Sequence, residues 1–285
     1  MLYEGIARVL MPVSDLAAAC EPFERLGLVV TPARQPPGRG ISIRAIPIGG
    51  PDNLFEIEIV GPADTPGAGW TFGDAVDRGL STVVLRVSDM ATALAALAER
   101  GIQAASSHTI LEPNGEKRIE LAMLPDLPDA AASIRLIQYY KSAEERHTED
   151  LGGRQHAFPL KRLDHLAAVA PDLDRSCRFW DEVLGVPTIG EVVSPTVIVR
   201  QLKIGDAILE LLGPSTPDSP IRQRPPGLGS SCSFEVPNLA AAIAQAQAAG
   251  FTINDRRIGT LPGTIVATIP AAQASGLNVQ LLQYV

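Results

Sequence analysis

Histidine and cysteine are scarce in this 285-residue chain, which holds four histidines (His108, His147, His156, His165) and three cysteines (Cys20, Cys177, Cys232). So few histidines exclude a histidine-rich metal centre. The cysteines cannot form a disulfide framework, and no Cys-x-x-Cys pair exists to hold zinc. A reducing compartment, the cytoplasm, is the simplest expectation. Aromatic residues are only 5% of the chain, too sparse to supply stacking platforms for flat ligands. No apolar run reaches the roughly 18 residues of a membrane span. Glu4, Arg8 and Asp15 break up the apolar N-terminus, which does not fit a signal peptide. Basic residues are outnumbered, 24 against 32 acidic, for a net charge of −8. That field repels phosphate backbones and argues against nucleic acid as a partner. What the chain has is 46% hydrophobic and 20% charged residues, the balance of a globular protein. Its length suggests about two domains.

The chain also repeats itself. Residues 6–17 (IARVLMPVSDLA) and 163–174 (LDHLAAVAPDLD) each read as a strand, one breaking residue (Ser14 or Pro171) and Asp-Leu opening a helix. Asp15 and Asp172 suit the N-cap, where a carboxylate accepts from free backbone N–H groups. Gly27 and Gly185 then end the two helices, in FERLGL and WDEVLGV. Residues 80–103 and 229–252 form a second pair, capped at Asp89 and Asn238 and ended at Gly101 and Gly250. Alternating strands follow, IRAIPIG and NLFEIEIVG in one copy, VIVRQLKIG and AILELLG in another, closed by Gly61-Pro62 and Gly213-Pro214. Four copies of strand–helix–strands result, over roughly 4–62, 79–140, 161–214 and 228–285. Residues 1–140 read as one two-copy domain and 161–285 as another. The charged stretch 141–160, uncoupled from either pattern, reads as a linker, with its acidic part KSAEERHTED as a solvated connector.

A βαβββ unit repeated in this way resembles the vicinal oxygen chelate superfamily, which includes glyoxalase I, methylmalonyl-CoA epimerase and extradiol dioxygenases. The resemblance covers nearly the whole chain. It is strongest over 161–285, where LDHLAAVAPDLD, FWDEVLG, LELLGP, DSPI and FEVPNLAAAIAQAQAAG are similar to the epimerase branch. It implies an α+β fold, four βαβββ modules paired into two glyoxalase-like domains with cupped, mixed or antiparallel sheets. It also implies a pocket in each domain, with metal ligands near the middle of each first strand and on each last strand. Module pairing, 1 with 2 and 3 with 4 or otherwise, stays open in the sequence.

Carried onto this sequence, the register gives His165 and Glu210 in copy three, and Ser231 and Gln280 in copy four, where the superfamily usually has His and Glu. His165, Glu210 and Gln280 with waters would form a weak set for one divalent ion (Mn, Co, Fe, Zn or Mg), Gln being weaker because an amide oxygen lacks carboxylate charge. Taken alone, His165 on a buried strand reads as a core histidine; the family register moves it to the pocket. Copy one gives Arg8 and Glu58, and copy two Thr82 and Arg135. Two arginines and one carboxylate cannot hold a divalent cation. Arg8, Glu58 and Arg135 read as a buried ion-pair cluster or as an anion clamp, with the N-terminal domain metal-free. Cys20, Cys177 and Cys232 read as buried hydrophobes rather than nucleophiles.

The resemblance implies enolate-type isomerase, epimerase or lyase chemistry on a small oxygenated carbonyl or CoA-type substrate, with Glu210 as base or ligand. Besides metal-independent catalysis, with Arg8 or Arg135 stabilising an oxyanion, two alternatives remain beside it. One is a metal-free protein that binds or sequesters a small molecule, with Arg8, Glu58, Arg135 and Ser231 as binding residues. The other is a relative of the extradiol dioxygenases, whose Fe(II) site needs two histidines and a carboxylate, of which this register supplies His165 alone among histidines. No membrane partner is expected, and a homodimer is one open arrangement.

Overall fold

The computed structural model describes residues 2–36, 38–63, 72–259 and 261–285, except the side chains of Asp255 and Arg256. Copy one contains β1 (Gly5–Pro12), α1 (Leu16–Leu26), β2 (Ile41–Ile48) and β3 (Phe55–Pro62). Copy two contains β4 (Thr82–Arg86), α2 (Met90–Glu99), β5 (Ser106–Leu111), β6 (Lys117–Met123) and β7 (Ser133–Tyr139). Helix α3 (Ala143–Leu151) lies in the stretch between the halves. Copy three contains β8 (Arg162–Val169), α4 (Leu173–Arg178), a π-helical turn over Phe179–Leu184, β9 (Thr188–Val193), β10 (Val197–Ile204) and β11 (Ala207–Pro214). Copy four contains β12 (Gly227–Glu235), α5 (Leu239–Ala248), β13 (Asn254–Ile258), β14 (Thr264–Ile269) and β15 (Asn278–Tyr284).

The expected helix starts are those observed. Asp15, Asp89, Asp172 and Asn238 each accept from the backbone N–H three residues on, at Ala18, Thr92, Arg175 and Ala241. Each side chain thereby satisfies a donor that the helix itself leaves unbonded. The two Gly-Pro strand ends have a packing reason as well. A Cβ on Gly61 would lie 2.9 Å from Leu16 Cβ, and one on Gly213 would lie 2.8 Å from Leu173 Cβ. At both equivalent places the helix start presses onto a strand that has room only for hydrogen.

Two mixed sheets result. One has seven strands in the order β2-β3-β1-β4-β7-β6-β5, the other eight in the order β13-β14-β15-β12-β8-β11-β10-β9. Copy one departs from the βαβββ expectation. Between α1 and β2 the described residues of copy one show only an isolated bridge, Arg34 to Ile43, where copies two, three and four have a regular strand. Pro32 and Pro36 flank that bridge, and each removes a backbone donor that a ladder needs.

By compactness the chain falls into two units. One comprises residues 1–8, 82–142 and 165–229, essentially copies two and three; the other comprises 9–81, 143–164 and 230–285, essentially copies one and four. In the first unit Trp180 is fully buried and its Nε1–H donates to the Ala130 carbonyl at 2.9 Å. In the second unit Phe55 and Phe234 meet with ring centroids 6.2 Å apart.

Past its acidic helix, the linker stretch 141–160 is docked. Phe158 is fully buried, and Leu151 and Leu160 are nearly so. His156 accepts from the Val29 N–H through Nδ1 at 2.8 Å and meets the Pro47 carbonyl through Nε2. The Ala157 N–H donates to the Gly27 carbonyl at 2.8 Å. A few apolar residues and one imidazole therefore bind this segment onto copy one.

Candidate active site

Three polar side chains converge on one face of the eight-stranded sheet, all within the first unit. Strand β8 supplies His165, β11 supplies Glu210 and β10 supplies Gln201. Their exposures are 6%, 5% and 8%. The register explains the meeting. In the parallel β8–β11 pair His165 stands opposite Ile208, so Glu210 lies two residues further along the same face. In the antiparallel β10–β11 hairpin Gln201 stands directly opposite Glu210. Leu209 and Leu211, on either side of Glu210, point the other way into the core and are fully buried.

The Gln201 Nε2–H donates to Glu210 Oε1 at 3.2 Å. The other oxygen, Oε2, lies 3.9 Å from His165 Nε2. Two ligands held about 2.1 Å from one ion stand roughly 3.0 to 3.9 Å apart as their angle opens from 90° to 135°. The spacing therefore fits a shared divalent ion, and imidazole nitrogen with carboxylate oxygen is a donor set that such ions accept. No group of three or more His, Cys, Asp or Glu side chains that could hold an ion occurs among the described residues. An ion here would be held by His165 and Glu210.

Gln280 and Ser231 lie in the second unit. Gln280 Oε1, the amide atom able to ligate, accepts from the Ser233 hydroxyl at 2.9 Å, and these two residues face each other across the parallel β12–β15 pair. Ser231 stands two residues earlier on β12, opposite Asn278.

Copy one places different partners at the corresponding positions. Glu58 is buried on β3 opposite Ala45, the counterpart of Gln201, and is ion-paired with Arg34. Arg8, the counterpart of His165, is 7% exposed and belongs to the first unit. Its Nη2 donates to the Tyr139 hydroxyl at 2.6 Å, and its guanidinium stands 5.6 Å from the centre of that ring. Arg135 lies four residues before Tyr139 on the same strand, opposite Val84 of β4.

The cysteines are the buried hydrophobes expected. Burial pushes the Cys20 thiol up to about 11 and that of the fully buried Cys232 higher still. On the opposite face of β8 from His165, Asp164 accepts from the Tyr284 hydroxyl at 2.8 Å and from Arg162 at 3.1 Å. Burial, reinforced by that carboxylate, pushes Tyr284 up to about 12. This clasp fixes the C-terminal strand within the second unit.

Gln201 is the member of the cluster that sequence reading missed. Its signal was present: Gly205-Asp206 is a two-residue turn between alternating strands, and counting outward from it pairs Gln201 with Glu210.

Comparison with known proteins agrees with this architecture. A profile of the family described as Glyoxalase-like domain matches residues 9–184, and one for the Glyoxalase/Bleomycin resistance protein/Dioxygenase superfamily matches 162–268. Mitochondrial methylmalonyl-CoA epimerase of Mus musculus is 35% identical over 93 residues, 30% of this chain and 52% of that protein. The Homo sapiens enzyme is 34% identical over 91 residues, 30% of this chain and 51% of that protein. The chain thus spans about half the length of the curated relatives it matches. Among solved structures, a mutant of 4-hydroxymandelate synthase from Streptomyces coelicolor superposes over 100% of this chain and 93% of its own, with TM-score 0.70 and 14% identity. At that identity the likeness is one of fold.

Proposed function

This chain belongs to the glyoxalase-like domain family, and from that premise we propose that it is a divergent vicinal-oxygen-chelate enzyme. Its substrate is a small oxygenated carbonyl compound or CoA-type ester, and its chemistry is isomerase, epimerase or lyase chemistry through an enolate. One observation carries the reading: a buried imidazole and a buried carboxylate 3.9 Å apart on adjacent strands, at the places the family uses. The partial match to methylmalonyl-CoA epimerases supports the direction without fixing the substrate.

His165 Nε2 and Glu210 Oε2 would hold a divalent ion, Mn, Co, Fe, Zn or Mg. When bound, such an ion supplies Lewis-acid polarisation of substrate oxygens. His165 holds its nitrogen toward Glu210 because β8 is pinned between neighbouring strands. Glu210 is the cluster's one carboxylate, so with no ion on Oε2 it is instead the group placed to take a proton from the substrate's α-carbon. Leu209 and Leu211 lock the β11 backbone against the core and so fix where that carboxylate stands.

The test is metal content of tag-free protein as purified and after incubation with Mn²⁺, Co²⁺, Fe²⁺ or Zn²⁺, beside His165→Ala. About one equivalent, lost in the variant, supports the reading and directs assays to enolisable carbonyl compounds. Absence of any uptake overturns the ion-dependent form. The guanidinium of Arg8 against Tyr139 favours a second reading, a metal-free protein in which Arg8 and Arg135 of the first unit bind a carboxylate or phosphate-bearing small molecule. Saturable binding of such an anion, weakened in Arg135→Leu with no metal uptake, would favour that alternative.

A further inference from the structure

We propose that Gln201 is a positioning residue: its amide holds Glu210 Oε1 so that Oε2 is the oxygen presented to His165 and to whatever binds there. The inference rests on the reading of His165 and Glu210 as the functional pair.

Three observations carry it. First, a carboxylate can rotate about its last bond and offer either oxygen. Here Oε1 is taken by the Gln201 N–H at 3.2 Å, which leaves Oε2 facing His165 at 3.9 Å. Second, the partner is neutral. A guanidinium at this place would cancel the charge of Glu210, as Arg34 does for Glu58; an amide orients the carboxylate and leaves its charge for use. Third, the neighbouring strand is shaped around the amide. Gly190 stands opposite Gln201 in the β9–β10 pair, and a Cβ there would lie 2.7 Å from Gln201 Oε1. Gly190 is not among the left-handed glycines of the chain, so backbone conformation does not require glycine at that position. The space is needed by the Gln201 side chain. Gly190, Gln201 and Glu210 form one row across three strands, each dependent on the next.

The experiment titrates the full chain with Co²⁺, followed by the visible absorption of bound cobalt, and records the Gln201 side-chain amide resonances by nitrogen-15 NMR. Hydrogen-bonding partners of ligating carboxylates affect ion affinity by about 10- to 100-fold. Gln201→Leu is expected to weaken Co²⁺ binding within that range and to change the cobalt spectrum, with the melting temperature of the ion-free protein changed by only a few degrees. Gly190→Ala, which leaves the amide in place but displaced, is expected to weaken binding in the same direction by less. Combining the two should add nothing to Gln201→Leu alone. In the ion-free protein, Glu210→Gln is expected to shift the Gln201 amide protons. Wild-type Co²⁺ affinity in Gln201→Leu, or amide resonances unmoved by Glu210→Gln, overturns the assignment. If the wild type takes up no cobalt, the ion-dependent reading fails, and the amide resonances still decide whether Gln201 positions Glu210.

Discussion

Copies one and three are the same construction finished in two ways. Both place a buried glutamate on the last strand, Glu58 on β3 and Glu210 on β11. Both back it with a hairpin partner, Ala45 or Gln201. In copy one the hairpin partner offers nothing polar, and the carboxylate is neutralised by Arg34 from the irregular stretch before β2. In copy three the partner is an amide, and the nearest cationic candidate is the imidazole of His165 at 3.9 Å. A carboxylate with a full counter-ion is part of the scaffold. One held by an amide and an imidazole keeps a charge that a substrate or an ion can use. Position in the fold thus creates the opportunity in both copies, and the identity of one neighbour decides whether it is taken.

The sharpest way to break this contrast is to remove the pair proposed to bind the ion. Glu210→Gln and His165→Ala should each abolish stoichiometric ion binding and lower turnover of an enolisable substrate by about 10²- to 10⁴-fold. Metal analysis and steady-state rates check this. Next in size is Gln201→Arg, which gives copy three the guanidinium of copy one. Ion affinity should fall by roughly 100-fold while circular dichroism stays that of the folded protein. Glu58→Gln tests the other side. It removes the partner of a half-exposed arginine, so the expected loss is about 1–2 kcal/mol, a shift of a few degrees in melting temperature, with ion binding unchanged. A comparable fall in ion affinity would show that Glu58 is no mere scaffold group.

The smallest effect concerns the segment docked on copy one. Burial holds His156 below its ordinary value near 6.5. The unfolded chain therefore takes up a proton first as pH falls, and stability declines below about 6.5 until the folded imidazole also titrates. Above that range its contribution is fully present. Protonation of Nδ1 also removes its capacity to accept from Val29. Melting temperatures measured from pH 7.5 to 5 should slope more gently in His156→Gln than in the wild type; equal slopes would assign the acid sensitivity elsewhere.

Much of the fold was legible because it is written in local chemistry. Asp15, Asp89, Asp172 and Asn238 announce helix starts, and duplication let each weak signal be checked against its twin. The meeting of His165 and Glu210 was legible through the same register. Gln201 was not, because between Arg200 and Leu202 it reads as an ordinary strand amide, and only cross-strand pairing gives it a partner. Docking of residues 141–160 was hidden for a related reason: Phe158 and His156 are few among many charges, and their partners Val29, Pro47 and Gly27 lie over a hundred residues away in sequence. The single bridge that stands for a strand among the described residues of copy one lies between Pro32 and Pro36, which lack the backbone donors a ladder needs.

The buried indole of Trp180 gives the molecule an optical label of its own. The chain has two tryptophans, Trp70 and Trp180. With Trp70→Phe in place, the remaining fluorophore sits in a water-free site, its N–H already committed to the Ala130 carbonyl. Its emission should begin at short wavelength, resist soluble quenchers, and move to the red when copies two and three part. Opening of that unit could then be timed separately from the melting of copies one and four.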